Sequence, residues 1–219
     1  MRFFGIEIER KTDILAFAAF LLSLGGIVYQ LYGFFRGPEV RLFAPSQVLI
    51  RAHRYPGQAK DYVRLAARMA YVNRGQLDYG AVIKNESIRY SLNGKTYEQA
   101  GQEWGLFRTE GDELVHKDPE DAKPFPIGGG SAQSHETYFA PQVVRCNETG
   151  PPCDPAQNFL RFDQFVDGLA KLKEWPVTVQ AAVYGERGLK EAKCVIQVDK
   201  QLIERLNQRR WAAPQCWED

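Results

Sequence analysis

The sequence predicts a mainly β protein carried on a single N-terminal transmembrane helix, and three observations lead there. An uncharged apolar run near the N-terminus is long enough to cross a membrane. After it, segments that alternate apolar and polar residues recur, separated by turn residues. Only two later stretches carry helical spacing, one before the last strands and one after them.

Composition bounds the rest. The chain has 219 residues, 44% hydrophobic and 25% charged, with a net charge of +1. That suits one globular domain and an anchor. No basic stripe marks a nucleic-acid surface, so no nucleic acid is expected as a partner. There is no internal repeat and no low-complexity tract. The expected organisation is an interfacial segment over 1–13, a transmembrane helix over 14–35 and a juxtamembrane linker over 36–46. A β domain with a disulfide-tied tail follows over 47–219.

From Ile14 to Phe35 there is no charged residue, and Arg36 follows at once. As a helix this run spans about 33 Å, enough for a hydrocarbon core of about 30 Å. Tyr29 and Tyr32 stand near one interface, where amphipathic rings belong, and Gly37-Pro38 stops the helix. A cleaved signal peptide would have a shorter apolar region and a small-residue cleavage site. Phe3, Phe4, Ile6 and Ile8, set among charges before the run, suit the membrane interface.

One stripe of this helix is small or polar: Ala16, Ala19, Ser23, Gly26, Gln30 and Gly33, at spacings of three and four. Phe17, Phe20, Leu24, Ile27, Leu31 and Phe34 form a bulky stripe beside it. Small residues let two helix backbones approach closely, and Gln30 would gain an interhelical hydrogen bond. The expectation is a partner in the membrane, either an integral membrane protein or a second copy of the chain. Lipid covers the rest.

Strands follow the linker. Val48, Ile50 and Ala52 alternate with polar residues, and Val63, Leu65, Ala67, Met69 and Tyr71 do so over a longer run. Asn93-Gly94, between Ile88–Leu92 and Lys95–Glu98, is two-residue hairpin chemistry. Further strands are expected around Trp104–Arg108, in SAQSHETYFA after Gly128-Gly129-Gly130, through Val177–Val183, and through Cys194, Ile196 and Val198. The acidic stretch from Glu110 to Gly130 reads as an irregular surface loop. Asp154-Pro155, with Gln157 behind it, reads as the start of a helix burying Phe162, Phe165, Val166, Leu169 and Leu172. Asp199 reads as the cap of a second helix carrying Leu202, Ile203 and Leu206.

About seven short strands with regular turns suggest a two-sheet sandwich. The pattern from about residue 46 to 200 resembles an immunoglobulin-like β-sandwich with one inserted and one C-terminal helix. The likeness is one of strand number and spacing, and it carries over no binding site.

The four cysteines, Cys146, Cys153, Cys194 and Cys216, all lie in the second half. Three pairings are open. The preferred one joins Cys146 to Cys153 and Cys194 to Cys216, with unpaired buried thiols as the alternative. Paired cysteines place the domain outside the cytoplasm, in a periplasm or extracellular space. The arginines on both sides of the helix leave a cytosolic orientation open. Asn85-Glu-Ser and Asn147-Glu-Thr are formal glycosylation sequons.

Chemistry is sparse. His53, His116 and His135 are far apart, and His135 reads as part of a solvated strand edge. Gly128-Gly129-Gly130-Ser131 lacks the lysine of a phosphate loop. There is no G-x-S-x-G, H-E-x-x-H or C-x-x-C pattern, and a C-x6-C spacing is not a zinc knuckle. Asp163 and Asp167 belong on the wet face of their helix. The expectation is therefore no catalytic residue, no metal and no cofactor. The protein reads as a non-catalytic, membrane-anchored accessory or interaction subunit. An anchored receptor or sensor domain for a soluble ligand is the second reading. An anchored hydrolase is the third, conditional on one of the histidines meeting a carboxylate in a cleft.

Overall fold

A computed structural model describes residues 2–3, 6–7, 12–54, 59–75, 79–110, 113–141 and 160–218. Two short strands, β1 (Arg2–Phe3) and β2 (Ile6–Glu7), pair antiparallel ahead of helix α1 (Thr12–Arg36). Gly37, at φ 62°, takes the left-handed conformation that ends the helix, and Pro38 forbids its continuation. Leu15–Tyr32 has a mean hydropathy of 1.7, and none of it is buried against the rest of the chain. The helix is thus long and apolar enough to cross a membrane.

The remaining strands are β3 (Val40–Phe43), β4 (Val48–His53), β5 (Tyr62–Asn73), β6 (Ala81–Leu92), β7 (Lys95–Glu110) and β8 (Glu113–Asp121). They continue as β9 (Phe125–Ile127), β10 (Ala132–Pro141), β11 (Glu174–Val183), β12 (Leu189–Gln197), β13 (Trp211–Ala212) and β14 (Trp217–Glu218). Helix α2 (Phe162–Leu169) precedes β11, and α3 (Lys200–Arg209) follows β12. The described strands after α1 all pair antiparallel in one twelve-stranded sheet, ordered β13-β4-β5-β10-β7-β6-β11-β12-β14. Strand β3 also pairs with β5, β8 with β7, and β9 with β6.

The mainly β class is thus observed, while the described pairings do not confirm the immunoglobulin-like sandwich expected from strand spacing. Among the described residues, the strands after α1 form one hydrogen-bonded sheet that curls. Three register shifts, in the β10–β7, β11–β6 and β7–β8 pairs, supply bends of the kind a curled sheet needs. The C-terminal segment joins the two ends of the order. Strand β13 pairs with β4, Gln215 bridges Gln47, the Cys216 N–H donates to the Ser46 carbonyl at 2.9 Å, and β14 pairs with β12. Strand β3 lies alongside β12 on the same seam.

Alternation now explains the core. Odd residues of β5 from Val63 to Tyr71, even residues of β6 from Ile88 to Leu92, and Val177, Val179, Ala181 and Val183 of β11 all point inward. Asn93 and Gly94 both take positive φ, 52° and 74°, as a type I′ hairpin turn requires. Phe162, Phe165, Val166 and Leu169 of α2 complete the interior, with Phe165 edge-on to Trp175 and Tyr90. The Asp199 carboxylate caps α3 by accepting from the Leu202 N–H at 2.7 Å. The expected cap at Asp154 lies outside the described residues.

The stretch expected as an irregular loop from Glu110 to Gly130 is instead built of β8 and β9. Among the described residues, strand β8 pairs only with β7. An edge strand tolerates charge and proline, so HKDPED carries no alternation to announce it.

Candidate functional site

Among the described residues, helix α1 carries a continuous exposed apolar run from Leu15 to Tyr32. Ala16, Ala19, Ser23, Gly26 and Gln30 are all exposed along it, and Gly33 lies further on in the same helix. Beyond the neighbouring residues and the adjoining helix backbone, a Cβ added at Gly25 or Gly26 would meet no described atom within 4 Å. The Ser23 hydroxyl donates to the Ala19 carbonyl one turn back, at 2.9 Å, so its bond is made within the helix. None of the described hydrogen bonds uses the Gln30 amide.

The domain contains a polar centre that the sequence reading missed. Glu86 of β6 is 5% exposed and collects four donors from three other strands. Tyr71 of β5 donates its hydroxyl to Oε1 at 2.5 Å, and the Thr137 hydroxyl of β10 donates to Oε2 at 2.7 Å. His135 Nε2 stands 2.9 Å from Oε1, and the Trp104 indole of β7 donates to Oε2 at 3.3 Å. The His135 ring is held by Tyr71, Trp104 and Phe125, with centroids 6.1, 4.6 and 4.8 Å away. Burial alone would raise the Glu86 carboxyl. The hydrogen bonds and charge of His135, with the bonds from Tyr71 and Thr137, bring it below the ordinary glutamate range. Burial, and then the adjacent carboxylate, push the Tyr71 phenol well above its usual value.

His135 is therefore corrected from a solvated strand edge to a half-buried ring on a central strand, because β10 lies between β5 and β7. The signal for Glu86 was present in the sequence. It falls in step with Ile88, Tyr90 and Leu92, and so on the core face.

A second cluster lies on the other face of β5 and β10. Arg64 is 6% exposed. Its guanidinium sits 4.1 Å from the centroid of the Tyr138 ring and 3.2 Å from the Glu103 carboxylate. Arg51 donates to the Tyr138 hydroxyl at 2.8 Å, and the His116 ring packs on Tyr138 at 4.8 Å. Burial, then the charges of Arg64 and Arg51, hold His53 below the ordinary imidazole value. Burial likewise lowers His116, with Glu103 opposing and both arginines adding to the effect. Asp163 reaches Arg210 at 3.0 Å, and Arg210 also holds Asp61 at 2.8 Å, tying α2, the approach to β5 and the end of α3 together.

Cys194 and Cys216 form a disulfide with their Cα atoms 5.4 Å apart, which fastens the closing segment to β12. Cys146 and Cys153 lie outside the described residues. No protein-family model matches the chain, and no curated protein resembles it in sequence.

Proposed function

We propose that this protein is a membrane-anchored, non-catalytic interaction subunit, held in the bilayer by α1 and docked through it onto an integral membrane protein or a second copy. The observation that carries the reading is that the apolar window Leu15–Tyr32 is wholly unburied by its own chain. Leaving such a surface in water is costly at about 25 cal/mol per Å². The stripe of Ala16, Ala19, Ser23, Gly26, Gln30 and Gly33 is the docking face. Gln30 carries most of its polar selectivity, because Ser23 is already bonded within the helix. The closed β domain is the extracytoplasmic body, a placement supported by the Cys194–Cys216 disulfide.

One observation favours the hydrolase reading: His135 does meet a carboxylate, Glu86. Against it, both Glu86 oxygens are occupied by donors, and Tyr71 and Thr137 around them are fully buried. A carboxylate so engaged orients and rigidifies the sheet; it is not free to take a proton from a substrate.

The test is co-purification, or oligomer size, in mild detergent. At Gly26 an added Cβ has open space around it, so Gly26→Leu is expected to leave the β domain folded while a bulky side chain enters the helix contact. It is expected to weaken association, and Leu24→Ala on the adjacent face to matter less. Equal association of Gly26→Leu and the unmodified protein would refute the docking face.

A further inference from the structure

The connection between α1 and the domain is short and tied down. Only Gly37, Pro38 and Glu39 separate the helix from β3, a reach of about 10 Å at full extension. Asn73, fully buried, fastens that connection. Its Oδ1 accepts from the Glu39 N–H at 3.1 Å and the Gly75 N–H at 2.9 Å, and its Nδ2 donates to the Tyr79 carbonyl at 2.9 Å and the Ile127 carbonyl at 3.3 Å. The Arg74 N–H adds a bond to the Glu39 carbonyl at 2.8 Å. The end of the curled sheet that carries Asn73 is thereby held next to the last turn of α1.

Register shows what else lies at that end. Val40 pairs with Asn73, Ala81 with Ile127, and Ile83 with Val183, so the turn between β11 and β12 shares it. Strand β3, which leads out of α1, runs beside β12, and β12 begins at this turn. The turn carries Tyr184, 76% exposed, and β12 opens on Leu189, 46% exposed, with Val82 of β6, 39% exposed, at the same end. Arg74, Lys84 and Arg187 at the same end are exposed too.

We infer that this end of the domain rests on the bilayer, with Tyr184 and Leu189 in the interfacial layer and Arg74, Lys84 and Arg187 facing anionic lipid headgroups. The occupant follows from continuity: a sheet end joined to a membrane-spanning helix by a linker of about 10 Å reach has the headgroup region as its neighbour. An exposed tyrosine with flanking cations is also the side-chain set that this layer favours. The inference rests on the reading of α1 as an anchor. It adds a defined orientation, with the Asn93-Gly94 hairpin pointing away from the membrane at the opposite end of β6.

The experiment uses the full chain reconstituted into vesicles of zwitterionic and anionic phospholipid with brominated acyl chains. Tyr184→Trp and Lys95→Trp each add one indole to an exposed site, at opposite ends of the sheet. Flotation of the protein with the vesicles tests the anchor separately. The expected result is flotation, with the added emission lost to bromine quenching at position 184 and retained at position 95. Flotation with no loss at 184, or with equal loss at both positions, overturns the orientation and leaves the anchor standing. Failure to float overturns the anchor, and this inference with it.

Discussion

Replacing Glu86 separates a satisfied polar centre from an ordinary core position. In Glu86→Leu, the hydroxyls of Tyr71 and Thr137 lose their acceptor while 1% and 0% exposed. A buried donor left unmade costs about 1–3 kcal/mol, so these two alone predict a loss of about 2–6 kcal/mol. That is a large part of the 5–15 kcal/mol typical of a whole domain. Glu86→Gln is gentler. Its amide oxygen can still serve Tyr71 and His135, and its NH₂ can donate to the Thr137 hydroxyl oxygen. It cannot accept from the Trp104 indole, which is a donor only, so one long bond of 3.3 Å is lost. The expected cost is about 1–2 kcal/mol. Urea unfolding of the full chain in detergent, followed by far-ultraviolet circular dichroism, gives both values at constant m. A loss below about 1 kcal/mol in Glu86→Leu, or equal losses in the two variants, would refute the assignment of Glu86 as acceptor for this cluster.

Other outcomes follow from the same structure. Cys194→Ala with Cys216→Ala frees a segment that spans 22 residues, and stability should fall by about 3 kcal/mol, read as a lower urea midpoint. Asp199→Ala removes the α3 cap and should cost about 1 kcal/mol in the same assay, whereas Lys200→Ala should not. Asp61 and Glu86 both titrate below their ordinary ranges in the fold. For Asp61, hydrogen bonds from Arg54 and Arg210 outweigh the upward push of burial. Depressed carboxyls contribute stability that is complete above their unfolded values near 4 and is lost as pH falls through the folded ones. Unfolding midpoints should therefore drop on acidification below about pH 4, and the drop should be smaller in Glu86→Gln. A midpoint unchanged from pH 6 to pH 3 would contradict both assignments.

The apolar helix, the Asn93-Gly94 turn and the Asp199 cap were legible in the sequence because each is a local matter. An uncharged run, two positive φ angles and one side-chain acceptor are written in adjacent residues. The inward faces of β5, β6 and β11 were legible too, since alternation needs only the pleat. How the strands join was not legible. Period-2 alternation says which side faces a core, but it is the same for a sandwich and for one curled sheet. Only the register shifts, and the crossing of residues 211–218 from β4 to β12, decide between them. Strand β8 escaped notice because an edge strand needs no apolar face. Glu86 sat on a visible inward position, yet its partners come from three other strands. A buried carboxylate is tolerable only when distant residues bring donors to it, and that meeting is a property of the folded chain alone.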